Sequence, residues 1–152
     1  MIKEIIETIK SCQRFLITAH MKLDGDALGS ELALLALLNG LGKEAVVYNQ
    51  DPTPANYFFL PGAGEIVNVL PPLEAFEAAF LLDCSELERV GDEAPKIKVI
   101  PRLVNIDHHV SNGGFCTMRL IDPEASSTGE MVFRLLQAMG ADISPEMATN
   151  LY

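Results

Sequence analysis

Apolar residues run through this chain in two alternating rhythms. Ile2, Ile5, Ile6 and Ile9 recur at helical spacing among Lys and Glu, which predicts an amphipathic helix rather than a secretory leader. "RFLITAH" is apolar nearly throughout and predicts a buried strand, followed by a helix from about Ala27 to Leu41 with Gly42 as its stop. "EAVVYN" predicts a second strand, and the Pro- and Gly-rich "QDPTPANYFFLPGAGE" a loop with one short apolar anchor. "AFLLDCS" predicts a third strand, with a short helical turn over Glu74 to Ala79 before it. "RLVNIDHH" and "FCTMRLID" predict two more strands. "SSTGEMVFRLLQAMG" reads as a helix with Ser127 and Glu130 spaced as a capping box, and "ISPEMATNLY" opens a last helix with Pro145 in its first turn. Strands that are apolar throughout and interleaved with helices predict an α/β fold, a mostly parallel sheet with helices on both faces.

Composition narrows the function more than the fold. The 152 residues suit one domain, and 49% hydrophobic with 21% charged residues is a globular profile. A net charge of −10 excludes a long basic face for gripping nucleic acid. It leaves room for a phosphate substrate, because bound divalent metal reverses the local potential. The most apolar run, "LALLALLNGLG", is too short to span a bilayer and is bordered by Glu31. Three scattered cysteines show neither zinc spacing nor a disulfide framework, which fits a reduced, cytoplasmic setting.

The candidate chemistry lies where strands end. The first strand stops at His20 and leads into Asp24 and Asp26; the third stops at Asp83; the fourth stops at Asp107, His108 and His109. Taken alone, "HMKLDGDALGS" is also an ordinary polar turn with acidic residues at a helix start. The combination differs, because the carboxyl ends of parallel strands share one edge and ligands bind there. All three histidines of the chain sit at these ends, and Lys and Arg are sparse around them. Carboxylates gathered without cationic partners call for divalent metal.

"HMKLDGDALGS", "LLDCSELERVG" and "NIDHHVSN", in this order, resemble the first three motifs of the DHH phosphoesterase family, and "DPEASSTGE" matches a later segment of that family. The resemblance implies two divalent metals, Mn²⁺ first, with Mg²⁺ or Co²⁺ as alternatives. It assigns His20 and Asp24 to one metal, Asp26 and His108 to the other, and Asp83 to both. His109 is the implied catalytic donor toward the scissile phosphate, with Asp107 orienting it or supporting the cluster. Arg89, Ser127 and Thr128 are candidate substrate contacts; helix capping competes for the Ser and Thr, and a carboxylate partner for Arg89. The implied activity is hydrolysis of short RNA or DNA oligonucleotides and of 3′-phosphoadenosine 5′-phosphate. Cyclic dinucleotide hydrolysis, pyrophosphatase, single-strand exonuclease and an inactive metal-binding fragment stand as alternatives. The expected organisation is an N-terminal DHH domain over 1–152, ending before a fourth metal motif, with a C-terminal substrate-binding domain outside it. No membrane partner is expected, and a homodimer is left open.

Overall fold

The computed structural model describes all residues 1–152. Helix α1 (Ile2–Ser11) leads into strand β1 (Arg14–Ala19), α2 (Gly25–Gly40), β2 (Glu44–Val47), β3 (Ala78–Leu82), α3 (Ala94–Ile97), β4 (Arg102–Asp107), β5 (Met118–Ile121), α4 (Thr128–Ala138) and α5 (Pro145–Leu151). The five strands form one sheet in the order β2-β1-β3-β4-β5, and every pair is parallel. In register, Leu16 lies beside Val46 on one side and Ala79 on the other, and Phe80 lies beside Val104.

Both faces of the sheet are covered. Phe15, Ile17, Phe80, Leu82 and Ile106 pack under α1, α2, α4 and α5, in the larger of two apolar clusters. Leu16, Ala79 and Leu81 turn to the other face and meet Leu87, Val90, Ala94 and Ile97 in the smaller one. This two-sided burial is why the strands read as continuous apolar runs instead of alternating ones.

Two local expectations change, and one unassigned segment gains structure. Helix α2 starts at Gly25 rather than Ala27, because Asp24 caps it by accepting from the Ala27 N–H at 3.0 Å. The helical turn over Glu74 to Ala79 does not form: Ala78 and Ala79 are taken into β3 by pairing with both β1 and β4. The segment between β3 and β4, unassigned from the sequence, carries a 3₁₀ turn at Leu87–Val90 and the one-turn helix α3. No helix is long and apolar enough to cross a membrane.

Candidate metal centre

The strand order sets the site. The chain leaves β1 for β2 on one side of it, while β3 lies on the other side. The crevice at such a switch point, outside the carboxyl ends of the strands, is where ligands bind in open α/β sheets. His20 follows β1, Asp83 follows β3, and Asp107 closes β4, with His108 and His109 after it.

Asp83 is the hub. Its backbone adopts φ 57°, a left-handed conformation rare for a residue with a side chain. The buried carboxylate is shared between neighbours on both sides. Oδ2 lies 3.2 Å from His20 Nε2; Oδ1 lies 3.8 Å from His108 Nε2 and accepts from the Thr128 hydroxyl at 2.8 Å. Burial pushes this carboxyl up, but hydrogen bonds from His20 and Thr128, with the charges of His20 and His109, outweigh it and hold it below its usual range.

The two flanking imidazoles are oriented alike. His20 Nδ1 donates to the Met21 carbonyl at 2.7 Å, and His108 Nδ1 donates to the Ala125 carbonyl at 3.3 Å. Each ring thereby keeps its Nε2 toward the carboxylates, the nitrogen a metal would take once its proton is given up. The hydrogen bond to Asp83 raises the pKa of His20 despite partial burial.

Helix α2 and its N-cap supply the other carboxylates. Asp24 Oδ1 lies 3.8 Å from His20 Nε2, and Asp26 Oδ2 lies 3.6 Å from His108 Nε2. Asp26 also receives the backbone N–H groups of Thr128 at 2.9 Å and Gly129 at 2.8 Å, the first turn of α4. Burial raises its pKa, opposed by these two bonds.

On the far side, Asp107 accepts from His109 Nδ1 at 2.6 Å and from Asn112 Nδ2 at 2.7 Å. The Asn112 side chain also reaches Asn105 Oδ1 at 2.8 Å, so the buried Asp107 is fixed from two directions. The His109 and His108 ring centres are 4.8 Å apart.

The donor set fits divalent metal. His20, Asp24 and Asp83 form one group whose ligand atoms lie within 4.8 Å of one another, and Asp83, His108 and His109 form a second. The groups share Asp83, and no Lys or Arg forms an ion pair with any of these carboxylates. Mixed imidazole and carboxylate ligands suit Mn²⁺ and its neighbours better than Ca²⁺.

The seven residues singled out for metal and catalysis thus converge at one edge. The candidate substrate contacts divide. Arg89 is exposed without an ion pair, while its carbonyl accepts from the Met21 N–H at 2.7 Å. Ser127 caps α4 by accepting from the Glu130 N–H at 3.0 Å, as the capping box predicts. Thr128 uses its hydroxyl on Asp83 and its N–H on Asp26. Asn112 and the α4 backbone were missed as parts of the site. Asn112 stands inside the quoted "DHHVSN"; nothing in the sequence marks the α4 contacts, which join residues 102 and 103 apart.

Fold and site together define a parallel α/β protein with a histidine–aspartate cluster at its switch point. The chain belongs to the DHH family: residues 14–152 match the DHH family, N-terminal domain. It is 35% identical over 133 residues to the bifunctional oligoribonuclease and PAP phosphatase NrnA of Thermus thermophilus, covering 88% of this chain and 39% of that protein. Identity to NrnA of Bacillus subtilis is 27% over 134 residues, 87% of this chain and 41% of that one. The crystal structure of an exopolyphosphatase-related protein from Bacteroides fragilis superposes with a TM-score of 0.91 at 30% identity, over 99% of this chain and 47% of that one. RecJ of Thermus thermophilus, solved with Mn²⁺, shares the fold at a TM-score of 0.57 and 15% identity, with 99% and 22% covered. The chain spans less than half the length of these relatives.

Proposed function

We propose that this domain holds two divalent metals and serves a phosphoesterase that hydrolyses short oligonucleotides and 3′-phosphoadenosine 5′-phosphate. The observation that carries this reading is Asp83, whose two oxygens face His20 on one side and His108 on the other. His20 and Asp24 would hold one metal, Asp26 and His108 the second, with Asp83 between them and Mn²⁺ the preferred ion. Bound there, the pair supplies an acidified water and polarises the phosphoryl oxygens.

The chain's own residues do the rest. Asp107 accepts the Nδ1 proton of His109, leaving Nε2 without a protein partner; once that nitrogen takes up a proton, the Asp107-stabilised imidazolium can donate it to a phosphate oxygen. Arg89, exposed and unpaired, offers a second cationic contact for the anion. Beside Asp26 and Ser127 opens a cavity of about 710 Å³ flanked by Tyr57 and Phe59, aromatic surfaces suited to a nucleobase. The identity to two NrnA proteins supports the oligonucleotide and nucleotide-phosphate substrates. We assign residues 1–152 to the metal-holding domain and substrate closure to a separate one, in keeping with the greater length of the relatives.

The test is hydrolysis of a diribonucleotide and of 3′-phosphoadenosine 5′-phosphate by the full-length protein in Mn²⁺, with short polyphosphate as a third substrate. Release of mononucleotide and of phosphate, both abolished by His109→Ala, is the expected result. Turnover of polyphosphate alone overturns the nucleotide reading.

A further inference from the structure

Helix α2 is buried on almost every side, and its only charged residues are Asp26, at the site, and Glu31. The Glu31 side chain is fully buried, and its Oε1 has no hydrogen-bond partner. An apolar residue at this position would continue the run of leucines without that cost. What Glu31 does instead is hold Asn49, whose Nδ2 donates to Glu31 Oε2 at 2.8 Å.

Asn49 stands where the β1–β2 ladder has just ended. The paired register stops at Ile17 and Val47, and the Tyr48 N–H still reaches the Ile17 carbonyl. Beyond that point the Ala19 N–H takes the side-chain Oδ1 of Asn49 as its acceptor, at 3.2 Å. The next residue is His20. Asn49 itself is anchored by its N–H to the Val67 carbonyl and by its own carbonyl, which accepts from Asn68 Nδ2. With the backbone fixed, one freedom remains: the amide can turn over and present its NH₂ to the Ala19 N–H. In the observed orientation Glu31 accepts from the amide nitrogen while the Ala19 N–H takes the amide oxygen, so the two neighbours together select that orientation.

We propose that Glu31, acting through Asn49, is a positioning residue for the metal centre: it fixes the end of β1 and so the aim of the His20 ring. Its purpose rests on the metal reading above, whereas its geometry does not. Two oriented bonds in a buried polar chain give a rigid strut only if both are kept. Loss of outer partners of a metal ligand costs about 10–100-fold in metal affinity.

The test uses Glu31→Gln, Glu31→Leu and the double variant Glu31→Leu with Asn49→Leu. Glutamine keeps an acceptor for Asn49. The double variant removes both polar side chains together, so neither is left buried without the other and only the Ala19 N–H loses its acceptor. The imidazole C–H signals of the three histidines are followed by NMR in the metal-free chain, with His20→Gln for assignment, and Mn²⁺ affinity is measured by titration of free ion. The expected result is that Glu31→Leu and the double variant shift the His20 signals, leave those of His108 and His109 in place, and weaken Mn²⁺ binding about tenfold. Glu31→Gln restores both readouts. If His20 signals are unchanged in both leucine variants, or all three histidines move together, the positioning role is wrong. A parent chain that binds no Mn²⁺ removes the metal reading, while the His20 signals still decide the strut.

Discussion

Glu31 has a consequence of its own at the scale of the single residue. Burial pushes its carboxyl from the ordinary 4.5 up to about 8, with Asp83 adding to the rise and Asn49 and His20 opposing it. A folded pKa above the unfolded one means that the stabilising contribution is full below about pH 4.5 and is lost as pH climbs through about 8. The metal-free chain should therefore lose on the order of a few kcal/mol of stability across this window. His20, whose pKa is raised from the ordinary 6.5, loses its share only as pH rises above 6.5, which overlaps the upper part of the same range, so the slope of the parent alone is ambiguous. Glu31→Gln removes only the Glu31 part. Urea midpoints at pH 5 and pH 8, in chelator, should differ less for Glu31→Gln than for the parent. Equal differences would show that Glu31 keeps its charge in the folded state. The sequence did not announce this residue, because a Glu bordering an apolar run reads as the polar edge of a helix. Its partner lies 18 positions away in another element. The ligand candidates were legible for the opposite reason, since each stands at the end of an apolar strand or in the loop and helix start that follow it, where topology brings strand ends together.

Among the elements, α2 and α5 meet through a glycine. A Cβ built on Gly29 would lie 2.1 Å from the Asn150 backbone carbonyl oxygen, while one on Gly40 meets nothing within 4 Å. The same substitution in one helix should thus have two signs. Gly29→Ala forces backbone apart and should destabilise by about 1–3 kcal/mol. Gly40→Ala only restricts the unfolded chain and should stabilise by about 0.4–1 kcal/mol. Denaturant midpoints with unchanged slopes decide it, and stabilisation by Gly29→Ala would mean that α5 does not pack as described. Ser127→Ala, which removes the side-chain cap of α4, should cost about 1 kcal/mol. It should also loosen the turn whose N–H groups hold Asp26, so weaker Mn²⁺ binding should accompany the lost stability. The strands and long helices were legible because pattern and fold agree in them. The turn expected over Glu74 to Ala79 failed because helix-favouring alanines were claimed by two neighbouring strands. Helix α3 escaped notice because four residues around a proline have no period to read.

For the whole molecule, charge and fold meet at one edge. A chain of net charge −10 gathers Asp24, Asp26, Asp83 and Asp107 around three histidines, with no Lys or Arg paired to them. Self-repulsion of this kind opposes the compact state, and a divalent cation relieves it where the repulsion is greatest. Metal that binds only the folded chain must stabilise it, by about 2.7 kcal/mol for one site at a free concentration 100 times Kd. For a domain of this size that corresponds to a rise in Tm of about 5–10 °C. Potassium chloride at matched ionic strength only screens surface charge and should produce a much smaller rise. Asp83→Asn makes the distinction sharper. Asn tolerates the left-handed backbone of position 83, so the variant should remain folded in chelator. It loses the carboxylate common to both ligand groups, so its Tm should respond to Mn²⁺ little more than to potassium chloride. Melting curves of the parent that coincide in Mn²⁺ and in chelator would mean that the cluster binds no metal in this domain. An Asp83→Asn curve that still rises by the full amount would place the shared ligand elsewhere.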